Sequence, residues 1–218
     1  MSIPIEKDTL KLRRSLLTMS AFAESRVAQA FEALFGRDVE MARTVRNGDD
    51  EIDRMEIDIE SECLRTLALD APVAGDLRFI LAAMRINSSL ERIADMARLI
   101  AKKVIKLERF PPLAYPPSLT EMADEVGQMF ADACRALAEN DAELAAQVRR
   151  RDDHVDAKTK EFTGWVLSII RDDRQDAEAA IAILLVGRTI ERIGDFAVAI
   201  AEDVIFSVGG SIVRHTPA

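Results

Sequence analysis

Apolar residues recur along most of this chain at spacings of three and four, the stripe of a helix that buries one face. In one stretch the stripe is Ile86, Leu90, Ile93, Ala97, Ile100 and Val104. One hundred residues later Val186, Ile190, Ile193, Ala197, Ile200 and Val204 repeat the same steps of 4, 3, 4, 3, 4. That period of 3.5 is the seam of a helix bundle. The segments 90–104 (LERIADMARLIAKKV) and 190–204 (IERIGDFAVAIAEDV) are identical at eight of fifteen positions. An internal repeat of this kind sets the architecture before any single residue does.

Breaks in the pattern divide the chain. Four of its seven prolines fall in FPPLAYPPS, residues 110–118. Proline cannot continue a helix and pushes its predecessor into extended geometry, so this stretch is the linker between two halves. The first half, 1–109, predicts three helices: about Asp8–Arg46 with a break at Gly36-Arg37-Asp38, about Asp49–Leu69, and about Val73–Leu107. Asn47-Gly48 and Ala71-Pro72 are the turns. The second half, 118–218, copies it. A helix opens at Ser118-Leu-Thr-Glu121, read as a capping box, and breaks near Asn140. A second starts at Asp152 and turns in the polar run Arg171–Gln175; a third covers about Asp176–Phe206. Asp38-Val-Glu-Met-Ala aligns with Asp141-Ala-Glu-Leu-Ala at an offset of 103, whereas the third helices align at 100. The expected fold is all-α: two tandem three-helix bundles related by internal repeat.

Composition agrees with helices packed on helices: 49% of residues are hydrophobic and only 5% aromatic. The net charge of −9 argues against nucleic acid as a partner and suits a protein that collects cations. Cys63 and Cys134 sit inside helical patterns without CxxC spacing and read as buried reduced thiols. No uninterrupted apolar stretch is long enough to span a membrane, and the N-terminal residues are too charged for a secretory signal; the expected location is cytoplasmic.

The repeat preserves a pair of like charges that an ordinary helix surface avoids: Glu91 with Asp95, and Glu191 with Asp195, each at i, i+4. In an antiparallel hairpin, residues equidistant from the turn come level. Asp53 with Glu91, and Asp49 with Asp95, both centre on position 72, the turn proline. Asp156 with Glu191, and Asp152 with Asp195, both centre on 173.5, inside the second turn. Four carboxylates at one level, on helices roughly 8–10 Å apart, repel unless a cation sits between them. Oxygen ligands of this kind suit Mg²⁺, Ca²⁺, Mn²⁺ or iron. The candidate metal ligands are Asp49, Asp53, Glu91 and Asp95 in one half, and Asp152, Asp156, Glu191 and Asp195 in the other. Levelness does not fix rotation about each axis, so a plainer reading stands beside this one. Asp49 and Asp152 open helices, where carboxylates cap free N–H groups, and Arg98 and Arg188 are placed to neutralise Asp95 and Glu191. His154 reads as exposed and His215 as a tail residue. No Ser/His/Asp spacing, Gly-rich phosphate loop or Glu-x-x-His pair appears.

With ERIAD and ERIGD on the third helices, and DDEID and DDHVD opening the preceding ones, the chain resembles the PhoU family. The stretch CLRTLALDAPVAGDLRFILAAMRI, residues 63–86, is similar to that family's second helix, turn and third helix. The likeness covers about residues 8–206. It implies acidic motifs that hold metal ions, often iron clusters, with Mg, Mn, Ca or Zn left open. It implies a non-enzymatic, cytoplasmic negative regulator of phosphate uptake and phosphate-responsive signalling. The implied partners are a phosphate ABC transporter ATPase and a membrane sensor histidine kinase, and a homodimer is left open. Leu99 and Ala199 stand where the family often has Asn, and Lys102 stands where Glu202 keeps an acid in the other half. The two sites are therefore expected to differ. Two other readings compete: a carboxylate-bridged metalloenzyme, and a passive helical scaffold whose acids are caps and surface pairs.

Overall fold

The computed structural model describes residues 3–48, 50–172 and 177–213. It holds α1 (Ile3–Gly36), α2 (Val39–Asn47), α3 (Asp50–Leu69), α4 (Ala74–Leu107), α5 (Pro117–Glu139), α6 (Ala142–Arg150), α7 (Asp152–Asp172) and α8 (Ala177–Gly209). Each expected helix is present, while the expected turn at Arg171–Gln175 and the expected helix start at Asp176 fall partly outside the described residues. The breaks at 36–38 and near Asn140 each split a long helix in two, so three helices per half become four.

Those breaks share one local mechanism. Arg37 and Asn140, at the repeat offset of 103, both take left-handed backbone geometry, with φ of 52° and 54°. The chain closes behind them through Asp38 N to Ala33 O and Asp141 N to Ala136 O, each at 3.0 Å. This is how a helix ends on a left-handed residue. The next residue starts the following helix. The Asp38 carboxylate accepts from Met41 N, and that of Asp141 accepts from Glu143 N and Leu144 N. The repeated Asp-x-Glu-x-Ala is thus an N-cap signature.

One expected start differs. The fifth helix begins at Pro117, with Pro116 as an extended N-cap, and Ser118 lies buried inside the first turn with no capping bond. Proline at the first helical position loses no hydrogen bond and already has helical φ, so it overrides the capping box read from Ser118–Glu121. The first helix also starts earlier than Asp8, at Ile3.

The halves pack through their third helices. α4 and α8 run antiparallel, tied by Arg85–Asp203 (3.4 Å) near one end and Lys106–Glu178 (2.8 Å) near the other. All twelve seam residues are buried. α1 lies on α4 and α5 on α8, and α1 also touches α5. α3 flanks α4 on one side and α7 flanks α8 on the other, giving a pseudo-two-fold arrangement around the α4–α8 pair. The linker is pinned in place. Arg37 donates to Leu107 O (3.2 Å) and Phe110 O (3.0 Å), and Tyr115 meets the Phe35 ring edge-on. Cys63 and Cys134 are both buried and free, as expected.

Candidate metal centre

Each pair of acids rides on a buried seam. On α4, Leu90, Ile93, Ala94 and Ala97 are buried, and Glu91 and Asp95 flank them, partly exposed. α3 packs beside this flank on its own buried stripe of Ile52, Ile59 and Cys63. Asp53 and Glu56 on α3 and Glu91 and Asp95 on α4 then act on one another through space. Burial first, then Asp95, Glu56 and Asp53, raise the Glu91 pKa, while Arg92 opposes them. Burial, then Glu60, Asp53 and Asp95, do the same to Glu56. Asp49 lies outside the described residues.

The second half repeats the crowding. Burial, then Asp152, Glu191 and Asp156, push the Asp195 carboxyl up from 3.8 to about 6, with Arg192 opposing. Asp152 is raised by burial and by Asp156, Asp153, Glu191 and Glu202. So Asp152, Asp156, Glu191 and Asp195 do come together in one field, as their level positions predicted.

The side chains themselves are not gathered on one point. Among the described residues no three Asp, Glu, His or Cys side chains converge as a ready-made metal site. Arg98 holds Asp95 at 2.6 Å, and Arg188 holds Glu191 at 2.8 Å, the two neutralising contacts read from the sequence. His154 is exposed on α7, and His215 lies outside the described residues. The donor set of each cluster is oxygen-only and under-neutralised, which suits a hard cation. Gathering the carboxylates on such an ion requires Asp95 and Glu191 to turn from their arginines.

Two residues of the first cluster escaped the sequence reading. Glu56 lies off the four-residue steps that bring α3 and α4 level; its mark in the sequence is an acid at i+3 from Asp53. Asn87, 3% exposed, donates from Nδ2 to Glu56 O at 2.9 Å, and its Oδ1 is buried without a partner. Their repeat equivalents are Thr159, buried against Met122, and Gly187. The second cluster instead gains Glu202, which also meets Arg149 at 3.2 Å, where the first half has Lys102. The two centres are equivalent in position and different in composition.

A PhoU domain family model matches residues 16–104 and again 119–204. The chain belongs to the PhoU family. It is 36% identical over 207 residues to a phosphate-specific transport system accessory protein PhoU homolog of Pseudomonas putida, covering 94% of this chain and 80% of that one. With the homolog of Aquifex aeolicus it shares 34% over 209 residues, covering 96% and 95%. The crystal structure of PhoU from Pseudomonas aeruginosa superposes with a TM-score of 0.91 at 34% identity, over 94% of this chain and 99% of that one. The phosphate transport system regulatory protein PhoU from Streptococcus pneumoniae gives 0.89 at 27% identity, over 96% and 99%. The two matched segments of this PhoU-family chain are the two halves separated by the proline linker, and each carries one acidic cluster. Among the described residues no helix is long and apolar enough to cross a membrane.

The Asp195 shift carries a pH signature. A carboxyl whose folded pKa lies above its unfolded value stabilises the fold fully below pH 3.8, and that contribution is lost as pH rises through about 6. The metal-free protein is therefore expected to lose stability between about pH 4 and pH 7. Because the Asp195 side chain reaches solvent, screening keeps the effect to about 1 kcal/mol. Thermal melts in chelator across this range check it: Asp195→Asn should flatten the decline, and an unchanged slope would refute the crowding.

Proposed function

We propose that this chain is a metal-binding, non-enzymatic regulator of phosphate uptake and phosphate-responsive signalling, acting on the cytoplasmic side by protein contact. Family membership supports the phosphate-transport part, since the relatives are named accessory or regulatory proteins of phosphate transport. The observation that carries the metal part is the duplicated crowding of carboxylates, strongest at Asp195. Asp49, Asp53, Glu91 and Asp95, with Glu56 beside them, would hold a cation in the first half; Asp152, Asp156, Glu191 and Asp195 would do so in the second. Iron fits such an oxygen set, as do Mg²⁺ and Mn²⁺.

A bound cation would neutralise the clusters and tie α3 to α4 and α7 to α8. The chain's own residues do the rest. The buried seams hold the acids in register, and Arg98 and Arg188 occupy the competing pose. Metal loading thereby sets the pose of the outer helices relative to the α4–α8 pair, and the outer faces meet the partners.

Those partners are a phosphate transporter ATPase and a sensor histidine kinase. Purified metal-loaded protein, immobilised and offered each partner separately, is expected to retain at least one of them, and Glu91→Gln with Glu191→Gln should weaken that retention. Retention of neither partner would contradict the contact mechanism.

A further inference from the structure

On the face opposite the α4–α8 pair, α1 and α5 leave a groove of about 560 Å³. They run antiparallel there: Arg13, early in α1, donates to Leu137 O and Asn140 Oδ1 at the end of α5, while Phe31 lies 3.9 Å from where a side chain at Gly127 would begin. The lining obeys the internal repeat. Ala21/Asp124, Glu24/Gly127, Ser25/Gln128, Val27/Phe130 and Ala28/Ala131 are pairs at offset 103, and the antiparallel register sets Glu24 and Asp124 toward opposite ends of the groove. The groove therefore sits on the pseudo-two-fold axis. It is distinct from the acidic clusters, which lie on the outer flanks.

Its chemistry is specific. Ala21, Ser25, Ala28, Gly127 and Ala131 are small, so a docking backbone can approach closely. Phe31 and Phe130 supply apolar floor. Residues 21–31 of α1 span about 15 Å along the axis, the length of one face of a three-turn helix, which matches the helix-in-groove mode of recognition. No lysine or arginine lines the groove, yet the two carboxylates of Glu24 and Asp124 do. Glu24 is half-buried, its partner is the Cys134 thiol, and burial raises its pKa with no cation opposing.

This charge pattern selects the occupant. A second copy docked on the same face would set Glu24 and Asp124 against another Glu24 and Asp124, with no basic residue from either lining, and like charges brought together at an interface repel. We propose that the α1–α5 groove receives an amphipathic helix of a different protein, one with a small apolar face and a lysine or arginine toward each end, one meeting Glu24 and the other Asp124.

The test uses a labelled peptide of about 15 residues, helical and rich in Ala and Leu, with two lysines about ten residues apart, and the same peptide with glutamates in their place. Fluorescence anisotropy against the full chain reads binding. The lysine peptide is expected to bind saturably and the glutamate peptide not to bind. Ala28→Trp, which fills the groove, should abolish binding. Glu24→Gln with Asp124→Asn, which changes no volume, should weaken it about tenfold, and it keeps the test informative if Ala28→Trp fails to fold. Equal binding of the two peptides, wild-type binding by the variants, or no saturable binding overturns the proposal. A wild-type dimer in sedimentation that Ala28→Trp converts to monomer also overturns it, assigning the groove to self-association. Metal content of the variants should stay at the wild-type level, which separates this result from the fate of the acidic clusters.

Discussion

Phe162→Ala is expected to lower stability by about 3–5 kcal/mol, the range for emptying a large aromatic from a core. Phe162 is 1% exposed and stacks near Trp165, with ring centroids 5.9 Å apart. Its ring fills a notch made by Gly187 on α8: a Cβ there would collide with the Phe162 ring. The glycine is thus a packing requirement, since it lets α7 close on α8 around a large side chain. Once the ring is gone, no side chain at 187 can collapse into the space, so the cost belongs at the upper part of the range. For a chain of this size that is a fall of about 10 °C in Tm. Calorimetry checks it; a shift of a degree or two would mean that α7 is held to α8 by other contacts. Because α7 carries Asp152 and Asp156, the same variant should loosen the second acidic cluster while leaving the first intact.

The second large effect is stabilisation by metal. In the cation-free protein Asp195, Asp152, Glu91 and Glu56 are each harder to ionise than a free carboxyl, because burial and neighbouring acids oppose their charge. An ion bound among them would relieve that repulsion and would favour the folded chain. Cation at a hundred times its Kd then adds about 2.7 kcal/mol per site. Melting the chelated protein with rising Mn²⁺ or Fe²⁺ should raise Tm progressively. Asp195→Asn should remove part of the gain, and Glu91→Gln with Glu191→Gln most of it. A Tm indifferent to metal would favour the reading in which Arg98 and Arg188 permanently neutralise Asp95 and Glu191.

Much of the fold was legible because its signals are local. The 3.5-residue stripes marked α4 and α8, the prolines marked the linker, and Gly36-Arg37-Asp38 and Asn140 marked the breaks, whereas the capping by Asp38 and Asp141 is seen only in the folded chain. The start of α5 differs from the expected one because Ser118 and Glu121 match a capping box whose role Pro117 takes over. The acidic clusters were legible only along the helix axis. Equal distance from a turn brings Asp152, Asp156, Glu191 and Asp195 level, and they do act on one another. Rotation about each axis, and the choice between a cation and a nearby arginine, depend on packing that no spacing encodes. Glu56 and Asn87 illustrate the difference. Asn87 sits beside the α4 stripe, next to Ile86, and only the packed α3 backbone at Glu56 explains why a polar residue is buried there. The asymmetry between halves has the same origin. Gly187 replaces Asn87 because Phe162 replaces the smaller Ile59.

The central question is whether the duplicated carboxylates hold cations. The most direct measurement is elemental analysis of the purified chain after saturation with metal and removal of the excess, for the wild type, Glu91→Gln, Glu191→Gln and the double variant. Metal in both halves, reduced by each single change and abolished by the two together, is the predicted result. Metal content unchanged in the double variant, or absent from the wild type, would contradict it.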